Sequence, residues 1–239
     1  MSALQLWFVV LTFTAPVLCW IFNRRWPTGP FDKAAARVQA LILLAVEIYE
    51  WKLKIQDSGA IAGHLLPMQL CDWALFATAI ALWFRSQICF EVAYFWGLAG
   101  TIQALFTPAI SSELAWWRQV GFFLGHSVIV IGVIHLVLVG RMRPQPGSLL
   151  RVLGWSELYL ATALAANALT GENYGFLSQR PDTPSLLDLF SDTRWIYVLQ
   201  INLTAIVFFA VLYLPWALWD GYRAKTARTL RPSAPLPPA

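Results

Sequence analysis

Apolar stretches of about 20 residues recur along the chain, separated by short segments rich in Arg, Lys, Pro and Gly. The hydrocarbon layer of a bilayer is about 30 Å thick and a helix rises about 1.5 Å per residue, so a run of this length predicts a crossing. Seven such runs are legible: residues 4–22, 34–51, 65–84, 88–106, 120–139, 153–169 and 196–218. Lipid offers no partner to an unpaired backbone group, which makes each run a helix. The second run is the least apolar, because Glu47 and Glu50 interrupt it. Only Arg85, Ser86 and Gln87 separate the third run from the fourth, which predicts a helical hairpin. The first run reads as a retained span: no Lys or Arg precedes it, Arg24 and Arg25 follow it, and no A-x-A cleavage pattern comes after. The predicted fold class is therefore all-α. It is a polytopic membrane helix bundle of about seven transmembrane helices, with residues 1–222 as one domain.

Two segments fall outside the spans. In the loop 170–195, Thr183, Pro184, Ser185 and Asp188 have the order of a helix start: a hydroxyl cap, a proline in the first turn and an acid near the positive helix end. Leu186, Leu187, Leu189 and Phe190 then suit a short helix lying on the membrane face. The tail 223–239 is basic and then proline-rich, which predicts disorder beside anionic lipid.

Composition narrows the class. Apolar residues make up 58% of the chain and charged residues 13%. A soluble domain carries roughly 25% charged residues, so a water-soluble exterior is excluded. The net charge of +4 does not point to nucleic acid, because the basic residues lie between apolar runs. Of the 17 Lys and Arg, 12 fall on one side of the predicted spans. The positive-inside rule then places the N-terminus outside and the C-terminus in the cytoplasm. The chain reads as a multi-pass protein of the cell membrane, in bacteria the inner membrane. Three cysteines with no CxxC or Cys/His spacing predict no disulfide framework, no metal site and no cofactor.

Polar side chains inside a span are costly, roughly 2.5–3.5 kcal/mol for a charge on insertion scales, so their depth is informative. Counted along helices, Glu47, Gln69, Cys71, Asp72, Gln103, His126, Asn167, Gln200 and Asn202 fall in the outer half, and few polar groups fall in the inner half. Singly, the amides read as interhelical hydrogen bonds; together they predict a polar cavity facing outward. Cys71 and His126 at matching depth suit nucleophilic catalysis, with the imidazole as base for the thiol. Asp72 or Glu47 would orient the ring, and Gln69 or Gln103 would stabilise an oxyanion. His135, nine residues beyond His126, faces the opposite way and reads as structural, which also argues against a shared metal. His64 lies at the outer boundary, and Cys19 and Cys89 read as packing residues at the inner ends.

Residues 65–72 (LLPMQLCD), 94–108 (YFWGLAGTIQALFTP), 122–126 (FFLGH) and 173–177 (NYGFL) occur in this order. With them, the chain resembles the bacterial YwaF-type membrane proteins, which are similar to the eukaryotic transmembrane protein 164 family. The resemblance implies an acyltransferase acting on membrane phospholipid or another acyl lipid, with Cys71 as nucleophile, His126 as its partner, and no nucleic acid partner. Asn173, inside a matching stretch, joins Glu47, Gln69, Gln103, Asn167, Gln200 and Asn202 as an expected substrate-binding residue. More distant androgen-induced-type lipid hydrolases pair a threonine with a histidine. Two departures stand out: Ser127 where the pattern has Gly, and residues 190–195 (FSDTRW) where it has a Gly-Pro-Trp-Pro-Trp-like run. The alternative function is a non-catalytic transporter or small-ligand binder using the same cavity, since Pro67, Gly97 and Gly100 are able to break helices as transporters do. A third reading is an assembly factor.

Overall fold

A computed structural model describes residues 1–25, 29–58, 62–111 and 113–229. Its regular structure is entirely helical, with no strand among the described residues. The elements are α1 (Ala3–Arg25), α2 (Gly29–Ser58), the single turn α3 (Ala62–Leu65), α4 (Leu70–Phe84), α5 (Gln87–Trp96), a π-helical segment (Gly97–Thr101), α6 (Gln103–Phe106), α7 (Trp116–Leu138), α8 (Ser148–Thr170) and α9 (Arg194–Thr229). Every predicted span falls on a helix, and α5, the π segment and α6 run on as one rod. Five helices are long and apolar enough to cross a membrane. α2 carries more charge, and α4 has only 15 residues.

The third span therefore needs correction at its start. Pro67 has no N–H and disfavours a helix at Leu66, and residues 66–69 are irregular. The exposed carbonyls of this segment are taken up by side chains: Trp73 Nε1 donates to Pro67 O at 3.1 Å and Tyr159 Oη to Met68 O at 3.2 Å. Irregular backbone at depth is tolerated only when satisfied in this way. Cys71 thus sits in the first turn of α4 rather than two turns into a helix that begins at residue 65.

The hairpin closes as expected, with Arg85 in the left-handed conformation (φ 55°) ending α4. At the centre of the bundle, α5–α6 and α7 have 61% and 67% of their apolar windows buried. α1, α8 and α9 have only 17–22% buried and form the lipid-facing wall. Lipid removes any hydrophobic drive between helices, so close packing relies on small residues. Ala74, Ala77 and Ala81 of α4 are buried, and a Cβ at Gly132 would come within 2.8 Å of Thr78 Cγ2.

The arginine-rich end is knitted by ion pairs. Glu91, fully buried, accepts from Arg151 Nε and Nη2 at 2.9 and 2.8 Å, from Gln87 Nε2 at 2.9 Å and from Gln145 N at 3.1 Å. Asp32 accepts from Arg85 at 2.7 Å and lies 3.0 Å from Nε2 of buried His135, whose Nδ1 meets Gln39 at 3.3 Å. His135 is thereby held inside this polar cluster, away from the lining of the cavity described below. Arg143 pairs with Asp220 at 2.5 Å.

The loop after α8 folds back over the opposite end. Its helix start is capped by Ser185 rather than Thr183: Ser185 N donates to Asp188 at 2.8 Å and Leu187 N to Ser185 Oγ at 3.2 Å. It makes only a 3-10 turn, Leu186–Leu189, in which Leu187 packs against the core while Leu189 is 79% exposed. Leu186 and Leu187 of this turn close one end of the bundle over the cavity described below. α9 continues through Thr229, so residues 223–229 of the tail are helical. Residues 230–239 and the His64 side chain lie outside the described residues.

Candidate functional site

A cavity of about 460 Å³ opens at the end opposite the arginine belt. Four helices and the folded-back loop build its wall. α2 supplies Glu47, Glu50 and Lys54; α4 supplies Cys71 and Asp72; the π segment and α6 supply Thr101 and Gln103; α7 supplies Phe122 and His126. Gly175, Phe176, Ser185, Leu186 and Leu187 of the loop close it from above.

Two glycines of α7 make room for this arrangement. A Cβ at Gly121 would lie 2.8 Å from Glu50 Oε1, and one at Gly125 would lie 3.1 Å from Val46 Cγ1. α2 and α7 therefore approach closely beside His126. The π segment is a second device: Ile102 N bonds to Gly97 O at 2.9 Å, five residues back, and Gln103 Nε2 takes the Ala99 carbonyl at 2.6 Å. One extra residue in the turn re-aims the side chains that follow, a recurrent feature of functional sites.

His126 has a fixed tautomer. Its Nδ1 lies 2.7 Å from the Phe122 carbonyl, which only accepts, so Nδ1 carries the proton and Nε2 the lone pair. The ring also packs at a 33° tilt against Phe122, with centroids 4.2 Å apart. Nε2 has no protein partner among the described residues. The group that orients the ring is thus a backbone carbonyl, one turn back, and neither Asp72 nor Glu47.

Cys71 lies in the first turn of α4, where backbone N–H groups lack helical partners and favour negative charge. Its Sγ lies 3.9 Å from Asp72 Oδ1. Asp72 caps the same turn, its Oδ2 accepting from Gln69 N at 3.0 Å. No hydrogen bond joins Cys71 to His126 among the described residues; both line the one cavity. All three cysteines are free.

Two buried oxygens on the cavity wall, Glu47 Oε1 and Thr101 Oγ1, have no hydrogen-bond partner among the described residues. Gln69 Oε1 accepts from Gly175 N at 2.9 Å, tying the cavity roof to α4, while its amide nitrogen has no protein partner among the described residues.

The remaining expected site residues separate from this group. Asn167 clamps the loop, donating to Tyr174 O at 3.0 Å and accepting from Tyr174 N at 2.7 Å. Asn173 staples the loop itself through Ser178 N, Gln179 N and Gln179 O at 2.9–3.2 Å. Gln200 caps Ser191 N at 2.7 Å. Asn202 donates to Glu157 at 2.7 Å and lines a neighbouring chamber.

Glu50, Lys54 and Thr101 were not among the expected site residues. For the first two a signal existed: with Glu47 they stand at i, i+3 and i+7, one face of a helix. No group of three or more metal-ligating side chains occurs among the described residues.

Comparison with known proteins finds no significant match to a curated protein or to a solved structure. The model of the TMEM164 family matches residues 1–213, nearly the whole bundle. With a multi-pass helical architecture and a match of that extent, the chain belongs to the TMEM164 family of membrane proteins.

Proposed function

We propose that this protein is a lipid-acyl enzyme in which Cys71 is the nucleophile and His126 the base, acting on a phospholipid or other acyl lipid. The observation that carries the reading is the fixed His126 tautomer, with an unengaged Nε2 on the wall of the cavity that also holds the thiol. In the first half-reaction His126 Nε2 takes the thiol proton and the thiolate attacks the ester carbonyl. The carbon–oxygen ester bond then breaks, the imidazolium protonates the departing alkoxide, and a thioester remains on Cys71. In the second half-reaction Nε2 removes a proton from an acceptor hydroxyl, or from water, which attacks the thioester and regenerates the thiol. Helix α4 contributes its first-turn N–H groups and Gln69 its free amide as donors to the oxyanion. Asp72 is a capping and positioning residue in this scheme.

The bias of basic residues supports a cavity opening on the outer face of the cell membrane. The unpaired Glu47 Oε1 favours a second reading, ligand binding or transport without chemistry. An acyl-type activity probe separates the two. Labelling at Cys71 that falls at least tenfold in His126→Ala supports the enzyme. Undiminished labelling in that variant, or ligand uptake that survives Cys71→Ser, contradicts it.

A further inference from the structure

The cavity does not end at the thiol. Leu70, Gly100, Gln103, Gly175, Leu186 and Leu187 are shared with a second chamber of about 180 Å³ between α8 and α9. The two chambers differ in chemistry. The first carries Glu47, Glu50, Lys54 and Asp72. The second is walled mainly by apolar side chains such as Leu153, Leu160, Ala205 and Phe209.

Its polar groups satisfy one another. Trp96 Nε1 donates to Ser156 Oγ at 2.9 Å and Asn202 to Glu157 at 2.7 Å. α8 and α9 pack against each other less extensively than α4 and α5 do. Their outer faces (Leu158, Leu203, Val207) are exposed, on helices that form the lipid-facing wall. Leu70 directly precedes Cys71, and a Cβ on Gly100 would stand 2.8 Å from Leu70 Cδ2. The absent side chain at Gly100 is what lets Leu70 occupy the junction.

We infer that the slot between α8 and α9 admits one acyl chain of a membrane phospholipid sideways from the bilayer, with Leu70 and Gly100 forming the throat at which its ester meets Cys71. The inference rests on the acyl-enzyme reading above and names where that enzyme holds its lipid. A chamber with four charged side chains, Glu47, Glu50, Lys54 and Asp72, beside one whose single acid is paired with Asn202, with Leu70 of both walls directly preceding Cys71, matches a molecule whose polar head and apolar tail meet at an ester. A peptide or water-soluble solute has no use for the apolar chamber.

The test uses the full chain in phosphatidylcholine nanodiscs doped with a phosphatidylcholine carrying a mid-chain diazirine. Cys71→Ser is included so that binding is read without turnover. After irradiation, peptide mapping is expected to find adducts on slot residues Leu160, Ala205 and Phe209. Ala205→Trp should reduce these several-fold while leaving adducts on outward-facing Leu158 and Leu203, which report bulk lipid. Gly100→Leu should leave slot adducts in place and lower acylation of Cys71 in the otherwise native chain.

Adducts confined to the outward faces overturn the inference, and so do slot adducts that neither Ala205→Trp nor Leu160→Trp reduces. If either variant fails to fold, the adduct map of the native chain decides alone. Acylated Cys71 without slot adducts sinks the slot and spares the enzyme. Slot adducts on a chain that never acylates Cys71 sink the enzyme reading instead.

Discussion

Replacing Glu91 with alanine tests the packing at the arginine-rich end. Glu91 is fully buried and accepts four hydrogen bonds, two from Arg151, one from Gln87 and one from Gln145 N. Truncation leaves two donors, the Gln87 amide and the Gln145 N–H, without their acceptor, at about 1–3 kcal/mol each. Arg151 is 43% exposed and turns toward water or headgroups, so its share is small. The expected loss is about 3–5 kcal/mol, the range for one-sided removal of a buried ion pair. For a chain of this size that lowers Tm by on the order of 10 °C, read by tryptophan fluorescence in nanodiscs. Arg151→Met should cost at least as much, because it strands a buried carboxylate. The double variant Glu91→Leu with Arg151→Met should cost less than the two single changes added together. A Glu91→Ala variant within about 1 kcal/mol of the parent, or strict additivity in the cycle, would refute the reasoning.

Ser127 is fully buried and its Oγ has no partner among the described residues, so Ser127→Ala should leave activity intact and stabilise the fold by about 1 kcal/mol; a lower Tm would contradict this. Gly125→Val should act on chemistry more than on folding. Its Cβ meets Val46 at 3.1 Å, the added branch wedges α2 from α7 beside His126, and acylation should fall tenfold or more with Tm changed little. At the rim, outside the spans, two hydrogen bonds from the Arg118 guanidinium at 2.5 and 2.7 Å hold the Asp57 carboxyl below the usual range. A depressed folded-state pKa gives a contribution complete above the unfolded value of about 3.9 and lost as pH falls through the lower folded one. Asp57→Asn should therefore lower Tm slightly at pH 7, where the contribution is complete, and should flatten its decline below about pH 4. An unchanged acid slope would rule the pair out as its source.

The helices were legible because the bilayer fixes their length, and because Arg24, Arg85 and Arg151 mark the breaks between them. The local exceptions came from backbone chemistry that apolar runs do not display. Pro67 stops the helix that the run 65–84 suggests, and the loop turn closes after four residues because Leu187 is drawn into the core. Six of the polar positions, Cys71, Asp72, Gln69, Gln103, Glu47 and His126, line one cavity. Depth says nothing of azimuth. Asn167 and Gln200 lie at the same end yet spend their amides on the loop. Glu91 escaped notice because only its bonding to Arg151, sixty residues on, gives a carboxylate there a purpose. The Phe122 carbonyl as orienter of His126 leaves no mark in the sequence at all, since any residue there supplies one.

The most direct measurement is the intact mass of the protein after brief mixing with phospholipid in nanodiscs, followed by peptide mapping. A hydroxylamine-labile mass increase equal to one acyl group should map to Cys71, and should be lost in Cys71→Ser and slowed at least tenfold in His126→Ala. Acyl transfer or hydrolysis that proceeds at the parent rate in Cys71→Ser would contradict the account.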